Sequence, residues 1–517
     1  MEPQSSARTF RASYDVTVIG GGANGTAALR EIAGAGYSAL LVEARDLGSG
    51  ASGRSSRMLH CGLRYFETPH PVADALRHPR RFGRAFAMAR DAMEARAELA
   101  GDPGVATRPI ELAFPIWRDG PFPRWQIDIG LRLLGLSCRK GPPLERRMMN
   151  GAEAAQHPIG RHLRDRDSLT GMATFREYLF EAPERICIDN ALAAERHGAE
   201  IVVGTRAELL DRATDGLWRV ALHGPSGRHE IRSRVVLDMA GSWADDIGTS
   251  GPPLVRGTKG AHVIIRLPEG FADRGIATLN RLGRPFYGLP LGHDRFYFGP
   301  TETPYEGDAR DVRVDRDDVD FLIGEANRIL PGLKLSQRDV EQVWAGVRPL
   351  THDPAQPMGA RDRKVHDLAD RGFANVLALT GGPIMTHRSA GRLLLNAVRA
   401  RIAAPDGASR DARPAASHGA ARHEHAFDLH GILVAREGAS WRGMVTPAEA
   451  REAALRVAPS LGWDEDRIHL QVETFLAAQE HQFRVADATR QEAGTTRQTT
   501  RPTQQGDIHD IPENIGR

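Results

Sequence analysis

A chain of 517 residues, 41% hydrophobic and 26% charged, has the apolar material for at least one large core, and its length predicts two to four structural units. Its 68 Lys and Arg nearly cancel 66 Asp and Glu, so a formal charge of +2 excludes a general polyanion-binding field and argues against a nucleic-acid partner. Three widely spaced cysteines, Cys61, Cys138 and Cys187, suit neither a disulfide framework nor a zinc site; a reducing compartment and no metal are expected.

Met1 to Ser13 is polar and lacks the apolar stretch of a secretory signal, and no run long enough for a spanning helix follows. Peripheral membrane attachment stays open. Asp15 to Ile19 reads as a short buried strand, Gly20 to Gly25 as a glycine turn opening an alanine-rich helix to about Ala35, and Ser38 to Val42 as a second strand ending in Glu43. The glycines stand at G-x-G-x-x-G spacing with an acid beyond the next strand, which predicts a dinucleotide site. Gly20 serves the tight turn, Gly22 the close approach of backbone to a pyrophosphate, and Gly25 helix packing, while Glu43 accepts from ribose hydroxyls. A glycine-rich turn in an ordinary α/β domain is the plainer alternative.

This unit alone does not choose between NAD and FAD. Further along, Glu200 to Val203 leads into a turn at Gly204-Thr205-Arg206, and Arg234 to Leu237 into Met239-Ala240-Gly241, which offers Arg206 and Gly241 as cofactor contacts. Val376 to Leu379, Thr380-Gly381-Gly382 and a helix from about Arg388 to Ala400 repeat the strand, turn and helix pattern. A second glycine turn so far downstream suits a chain that returns to one long cofactor, as a flavoprotein must. Residues 403–422 read as a linker, followed by a small helical unit. Thr446, Pro447 and Glu449 supply its N-cap, first-position proline and capping-box acid. From about Ala488 the Arg/Thr/Gln-rich tail has too little apolar content to fold, and disorder is expected. The histidines His418, His423, His425 and His430 have no ligand spacing and read as a solvated stretch.

Several motifs together resemble the FAD-dependent, quinone-linked glycerol-3-phosphate dehydrogenase family. They are the glycine turn with Asn24, the Glu43-Ala44-Arg45-Asp46-Leu47 run, the stretch Ser52 to Ser56, and His60-Cys61-Gly62-Leu63-Arg64-Tyr65. Lys259-Gly260-Ala261-His262, Gly299 to Glu302, Gly346 to Leu350, Arg361-Asp362, and Gly381-Gly382 with Thr386 and Arg388 continue it in family order. The resemblance implies an α/β fold of the glycine-oxidase and amino-acid-oxidase type: a discontinuous Rossmann-like FAD domain, an interleaved antiparallel (α+β) substrate domain and a helical carboxy-terminal cap. FAD-binding parts are expected at about residues 14–100, 165–250 and 345–402, substrate-domain parts at about 101–164 and 251–344, the cap at 423–487 and the tail at 488–517.

It further implies oxidation of the secondary alcohol of glycerol 3-phosphate, or a close polyol phosphate, with hydride passing to flavin N5 and electrons to membrane quinone. Arg348 matches the family's active-site arginine, Arg64 and Tyr65 its substrate-phosphate contacts, Arg361 a further anion-binding arginine, and His60 and His262 its candidate bases. Ser52, Ser56, Gly381, Gly382 and Thr386 join the cofactor set. The departures are Pro383 where the family has lysine, His387 where it has tyrosine, Cys61 for glycine, and Val434-Ala435-Arg436-Glu437 for a paired-arginine motif. Either His387 or another arginine replaces the lost lysine, or the substrate differs. The alternatives are an unphosphorylated hydroxy acid or amine as substrate, and a flavin-binding protein without turnover. Basic amphipathic stretches at His78 to Arg96 and Arg124 to Lys140 make a cytoplasmic enzyme on the inner face of the membrane the expected setting, with a homodimer left open.

Overall fold

The computed structural model of the chain describes residues 10–66, 77, 79–137, 141–247, 251–405 and 423–486. Most of the expected linker and the expected tail, together with Cys138, Lys140 and His418, lie outside the described residues. The elements in chain order begin with β1 (Ser13–Ile19), α1 (Ala23–Gly34), β2 (Ala39–Val42), β3 (Met58–Leu59), α2 (Pro79–Ala100), β4 (Thr107–Trp117) and α3 (Arg124–Ser137). Next come β5 (Arg147–Asn150), β6 (Leu169–Phe180), α4 (Pro183–Arg196), β7 (Glu200–Val202), β8 (Arg206–Arg212), β9 (Trp218–Gly224) and β10 (Gly227–Asp238). The second half holds β11 (Val255–Arg266), β12 (Arg274–Leu279), β13 (Pro285–Gly292), β14 (Arg295–Gly299), β15 (Thr303–Pro304), α5 (Arg316–Ile329), β16 (Val340–Asp353), β17 (Gln356–Ala360), β18 (Lys364–Asp367), β19 (Val376–Thr380) and α6 (His387–Arg399). Helices α7 (Pro447–Leu461) and α8 (Glu465–Phe483) close it.

These strands form two sheets. The first runs β18-β19-β10-β1-β2-β7, with the β8/β9 hairpin attached through β10. Its centre is parallel, with Val16 opposite Val235 on one side and Ala39 on the other, and Leu237 opposite Leu377. Val16, Val18, Leu41 and Leu237 are fully buried, as strands covered on both faces must be. α1 packs its Leu29 and Ile32 into the core shared with Ile188 of α4 and Leu394 of α6. The Arg234 to Leu237 strand is longer than its apolar run announced, because from Gly227 to Arg234 exposed and buried residues alternate where β10 leaves the centre to pair with β9.

The second sheet runs β17-β16-β11-β14-β13-β12-β4-β6-β3, with β15 on β11 and β5 on β6, and is antiparallel apart from the β12/β4 pair. Its membership corrects the expected boundaries. Leu169–Phe180, Met58–Leu59 and the part of β16 and β17 from Ala345 to Ala360 fall in ranges assigned to the FAD part, yet all belong to strands of this sheet. The chain passes between the sheets after Val42, Phe180, Asp238 and Ala360, and an apolar run alone cannot say which sheet a strand joins.

In the carboxy-terminal unit, Thr446 caps α7 as expected, with its side chain and that of Glu449 each accepting from the other's backbone N–H. Pro447 at the first turn needs no such partner. Phe475 and Phe483 of α8 are buried beside Trp441 and Trp344, so this unit packs on β16.

Candidate cofactor and substrate site

Three parallel strands of the first sheet end at one edge, each in a glycine turn: β1 at Gly20, β10 at Gly241 and β19 at Gly381-Gly382. The carboxyl ends of parallel strands are where α/β sheets bind ligands. Gly20 has φ +114°, and a Cβ there would meet the Met239 carbonyl oxygen at 2.3 Å. A Cβ on Gly25 would lie 2.0 Å from the Gly20 carbonyl oxygen, so the first turn of α1 presses directly on the glycine loop. Gly22 is the N-cap and provides no side-chain cap, so the amino end of α1 presents backbone N–H groups and positive dipole to the loop, with Asn24 in its first turn. Ser52 Oγ accepts from Ala23 N–H at 3.0 Å, which draws the Ser52 to Ser56 loop over this end.

Glu43, at the end of β2, accepts from Gly21 N–H at 2.6 Å and Arg45 N–H at 2.8 Å. Burial raises its pKa above the ordinary carboxylate value against the pull of these donors. Each carboxylate oxygen keeps a further lone pair for a ribose hydroxyl. The glycine cradle, the open helix end and this acid fit the adenosine and pyrophosphate of a dinucleotide. Arg206 stands apart: its side chain is exposed at the start of β8, and it is the preceding Gly204 and Thr205 whose N–H groups reach the carbonyls of Arg45 and Glu43.

The second sheet reaches the same edge through β11 and β16. Gly260, His262, Trp344, Gly346 and Arg348 share one face, because Gly260 pairs with Gly346 and His262 with Trp344. Lys259 points to the other face, held by Asp315 at 2.6 Å and Asp318 at 2.7 Å, so this rare lysine serves the junction with α5 rather than the site. The Arg348 guanidinium lies over Gly260, where a Cβ would be 2.2 Å from its Nη2. Ser242 Oγ donates to the Val347 carbonyl and Gly381 N–H to the Pro349 carbonyl, which ties Arg348 to the glycine-turn edge.

His262 is buried, stacked on Trp344 with centroids 4.2 Å apart and 4° between planes, and its Nε2 is 2.9 Å from Ser56 Oγ. Burial, then the neighbouring Arg348 charge, holds its pKa well below the ordinary histidine value, so it is neutral. His60 is also buried; its Nδ1 accepts from Gly62 N–H at 3.1 Å, which leaves the proton on Nε2, and Tyr65 meets its ring edge-on. The side chain of Arg64 lies outside the described residues; its backbone sits in a short 3₁₀ turn, Leu63–Phe66.

The remaining candidates divide. Arg361 is ion-paired with Glu302, and its carbonyl accepts from Gly382 N–H. His387 does not replace the missing lysine. It is buried, its pKa is pushed down to about 4 by that burial, and Nδ1 bonds the Ile384 carbonyl at 3.0 Å, so it brings no charge. Thr386 turns inward, its Oγ1 donating to the Pro383 carbonyl at 2.9 Å. The cation beside this turn is Arg363, which the motifs overlooked. Its stem lies against Gly382, and Nη1 donates to the Thr386 carbonyl at 3.0 Å and Ser389 Oγ at 2.8 Å. Only its position two residues after Arg361 could have signalled it. Cys61, expected to crowd the substrate face, is instead fully buried, with its N–H donating to Glu177 Oε1 at 2.8 Å.

The family model described as FAD dependent oxidoreductase matches residues 15–397. Among curated proteins, a glycerol-3-phosphate dehydrogenase of Synechocystis is 27% identical over 421 residues, 75% of this chain and 70% of that protein. One from Pseudomonas aeruginosa is 29% identical over 387 residues, 72% of this chain and 69% of that protein. Among solved structures, the Bacillus halodurans glycerol-3-phosphate dehydrogenase complexed with FAD has a TM-score of 0.65 at 18% identity, covering 91% of this chain and 95% of that one. Glycine oxidase from Geobacillus kaustophilus has a TM-score of 0.54 at 22% identity, over 77% of this chain and 97% of that one. With the match spanning both sheets and the cradle fitting the cofactor, the chain belongs to the FAD-dependent oxidoreductase family.

Proposed function

We propose that this enzyme oxidises the secondary alcohol of glycerol 3-phosphate or a close polyol phosphate, and that quinone at a membrane surface receives the electrons. The observation that carries the reading is Arg348, whose guanidinium occupies the space left by Gly260 at the glycine-turn edge, in a chain similar to proteins named glycerol-3-phosphate dehydrogenase. Bound FAD supplies a two-electron acceptor. The chain supplies orientation and charge. Arg348 stabilises the alkoxide that develops as the hydroxyl loses its proton, in a site where low polarity strengthens the interaction. His262, held neutral and hydrogen-bonded to Ser56, is the proton acceptor; His60, with its proton on Nε2, is a donor that orients the substrate. Arg64 and Tyr65, on the turn that follows His60, are assigned to the phosphate.

A second reading, an unphosphorylated hydroxy acid or amine as substrate, draws on Pro383, on neutral His387 and on Glu302, which balances Arg361. Anaerobic mixing with a panel of polyol phosphates, hydroxy acids and amines separates the two. Bleaching of the flavin band by glycerol 3-phosphate, with inorganic phosphate competing, is the expected result; bleaching by the unphosphorylated compounds alone would overturn the phosphate assignment.

The membrane part of the proposal rests on α3. No helix among the described residues is long and apolar enough to cross a membrane. α3, however, buries Ile127, Leu131 and Leu134 while leaving Trp125, Ile129, Leu133 and Leu136 exposed at 54, 47, 50 and 59%. These four form one stripe at helical spacing, and the neighbouring helix α2 leaves Phe82, Phe86, Arg80 and Arg84 exposed. An exposed apolar stripe of that length, next to a helix with exposed arginines, suits the interface of an anionic bilayer. Arg96, counted with this surface from sequence, is instead fully buried against Glu177 and the Pro142 carbonyl.

A further inference from the structure

The second sheet and the carboxy-terminal unit meet in a buried group of rings next to His262. Tyr297, Trp344, Trp441 and Phe483 pack there in series: Tyr297 on Trp344 at 66°, Trp344 on Trp441 at 88° and Trp441 on Phe483 at 88°. Edge-on contacts of this kind are what neutral aromatic pairs favour. In this group it is His262 that lies flat on its neighbour, 4.2 Å from the Trp344 centroid and 4° from its plane. Trp344 is fully buried, and its Nε1 has no hydrogen-bond partner. Hydrogen bonding therefore does not account for an indole at this position, since an unpartnered buried N–H only costs stability. What the indole offers its surroundings is its face.

The stack is fixed from several sides. His262 and Trp344 stand directly opposite each other on β11 and β16, so backbone pairing sets their register. β14 closes on the edge of the imidazole at Gly299, where a Cβ would lie 2.4 Å from His262 Cδ2. Tyr297 OH donates to the Ser56 carbonyl at 2.6 Å, which holds the residue whose Oγ is 2.9 Å from His262 Nε2. Behind Trp344, Trp441 is pinned in turn: its Nε1 donates to Glu184 Oε1 at 3.1 Å, and the Arg57 guanidinium lies 3.9 Å over its ring. The charges acting on His262 are Arg348 and Arg57, both opposing a further positive charge, and among the described residues no carboxylate pairs with it. A proton taken up by His262 therefore finds its stabilisation on the indole face, because a cation within about 6 Å of a tryptophan ring is attracted by its quadrupole, most strongly out of water.

We propose that Trp344 is a positioning residue for the oxidation, holding the His262 ring flat and stabilising the imidazolium formed there, with Trp441 of the carboxy-terminal unit buttressing it from behind. The inference rests on His262 as the proton acceptor. When the substrate O–H bond breaks, its electron pair stays on oxygen and its proton makes His262 a cation, so the indole face gains attraction only as the proton arrives. The test is the limiting rate of flavin reduction and the apparent Kd of the substrate, measured anaerobically on the FAD-loaded full chain with whichever compound of the panel above bleaches the flavin fastest. Trp344→Leu should cut the limiting rate about tenfold or more and change Kd by less than about twofold, with Trp344→Phe between it and wild type. Trp441→Leu should act in the same direction and more weakly. Fluorotryptophan in place of all seven tryptophans keeps the ring's shape and weakens its face, which tests the stack without a packing defect. It should slow flavin reduction in the wild-type sequence and leave Trp344→Phe unaffected. An unchanged rate in the fluorinated wild-type sequence, or a folded Trp344→Leu that reduces flavin at the wild-type rate, would overturn the proposal. Flavin reduction at the wild-type rate in His262→Asn would instead remove the acceptor assignment on which it rests.

Discussion

Gly260 and Arg348 form a pair in which the smaller residue makes the larger one useful. Because a Cβ on Gly260 would lie 2.2 Å from the guanidinium, Gly260→Ala should displace Arg348 while leaving the cofactor cradle intact. The expected outcome is a fall of about a hundredfold in kcat/KM, as for loss of one donor to developing negative charge, with unchanged flavin content. Glu177 gives a second prediction at this scale. Burial, only partly offset by Arg96, raises its pKa from 4.5 to about 7. Between these values the folded chain holds a proton that the unfolded chain releases, so this group makes stability fall as pH rises, by up to about 1.4 kcal/mol per pH unit, and its penalty is complete above pH 7. Glu177→Gln still accepts the Cys61 N–H but carries no titration. Denaturant unfolding across this range should therefore show a flatter pH dependence in the variant, and identical slopes would refute the assignment.

At the scale of the element, α3 departs from the usual amphipathic helix. Its sequence alternates apolar residues with arginines closely enough that core packing and membrane contact are equally good readings, and the helix does both: one apolar face is buried and another is left to solvent. Replacing Ile129 and Leu133 together by Glu should abolish flotation with anionic vesicles, because it puts two acids in the stripe, yet it should leave dye-coupled turnover in solution unchanged. Retained flotation would remove α3 from the membrane contact. α1 shows the opposite relation of sequence to structure. Its start, its glycines and the acid after β2 were legible because each is dictated by local geometry: a positive φ at Gly20, a close approach at Gly25, a backbone-bonded carboxylate at Glu43.

Across the whole molecule, the carboxy-terminal unit is fastened to the first sheet by a buried pair. Arg436 binds Asp46 at 2.9 Å through Nη1 and Nη2, with Asp46 in the loop that follows Glu43. Arg436→Ala should destabilise the protein by about 3–5 kcal/mol, since it leaves Asp46 buried and uncompensated, and unfolding midpoints or proteolysis near residue 430 would report it. Excess FAD should raise the unfolding midpoint of both proteins, and because Asp46 sits beside the cofactor loop the difference between them should be at least as large with FAD bound as without it. The sequence by itself determined the cofactor cradle and the order of strands and turns that builds it, because these obey local rules of spacing and backbone conformation, whereas Arg348 and His262 were singled out only by resemblance to a family. Tertiary structure alone decided which sheet β3, β6 and β16 join, since a buried strand reads the same in either sheet. It also decided that His387 is neutral, that Lys259 faces away, that Arg361 is already paired and that Arg363 stands beside Pro383. Charge state and partner depend on what burial removes from water and on which distant carboxylate the fold brings within reach, and neither is written in the spacing of residues along the chain.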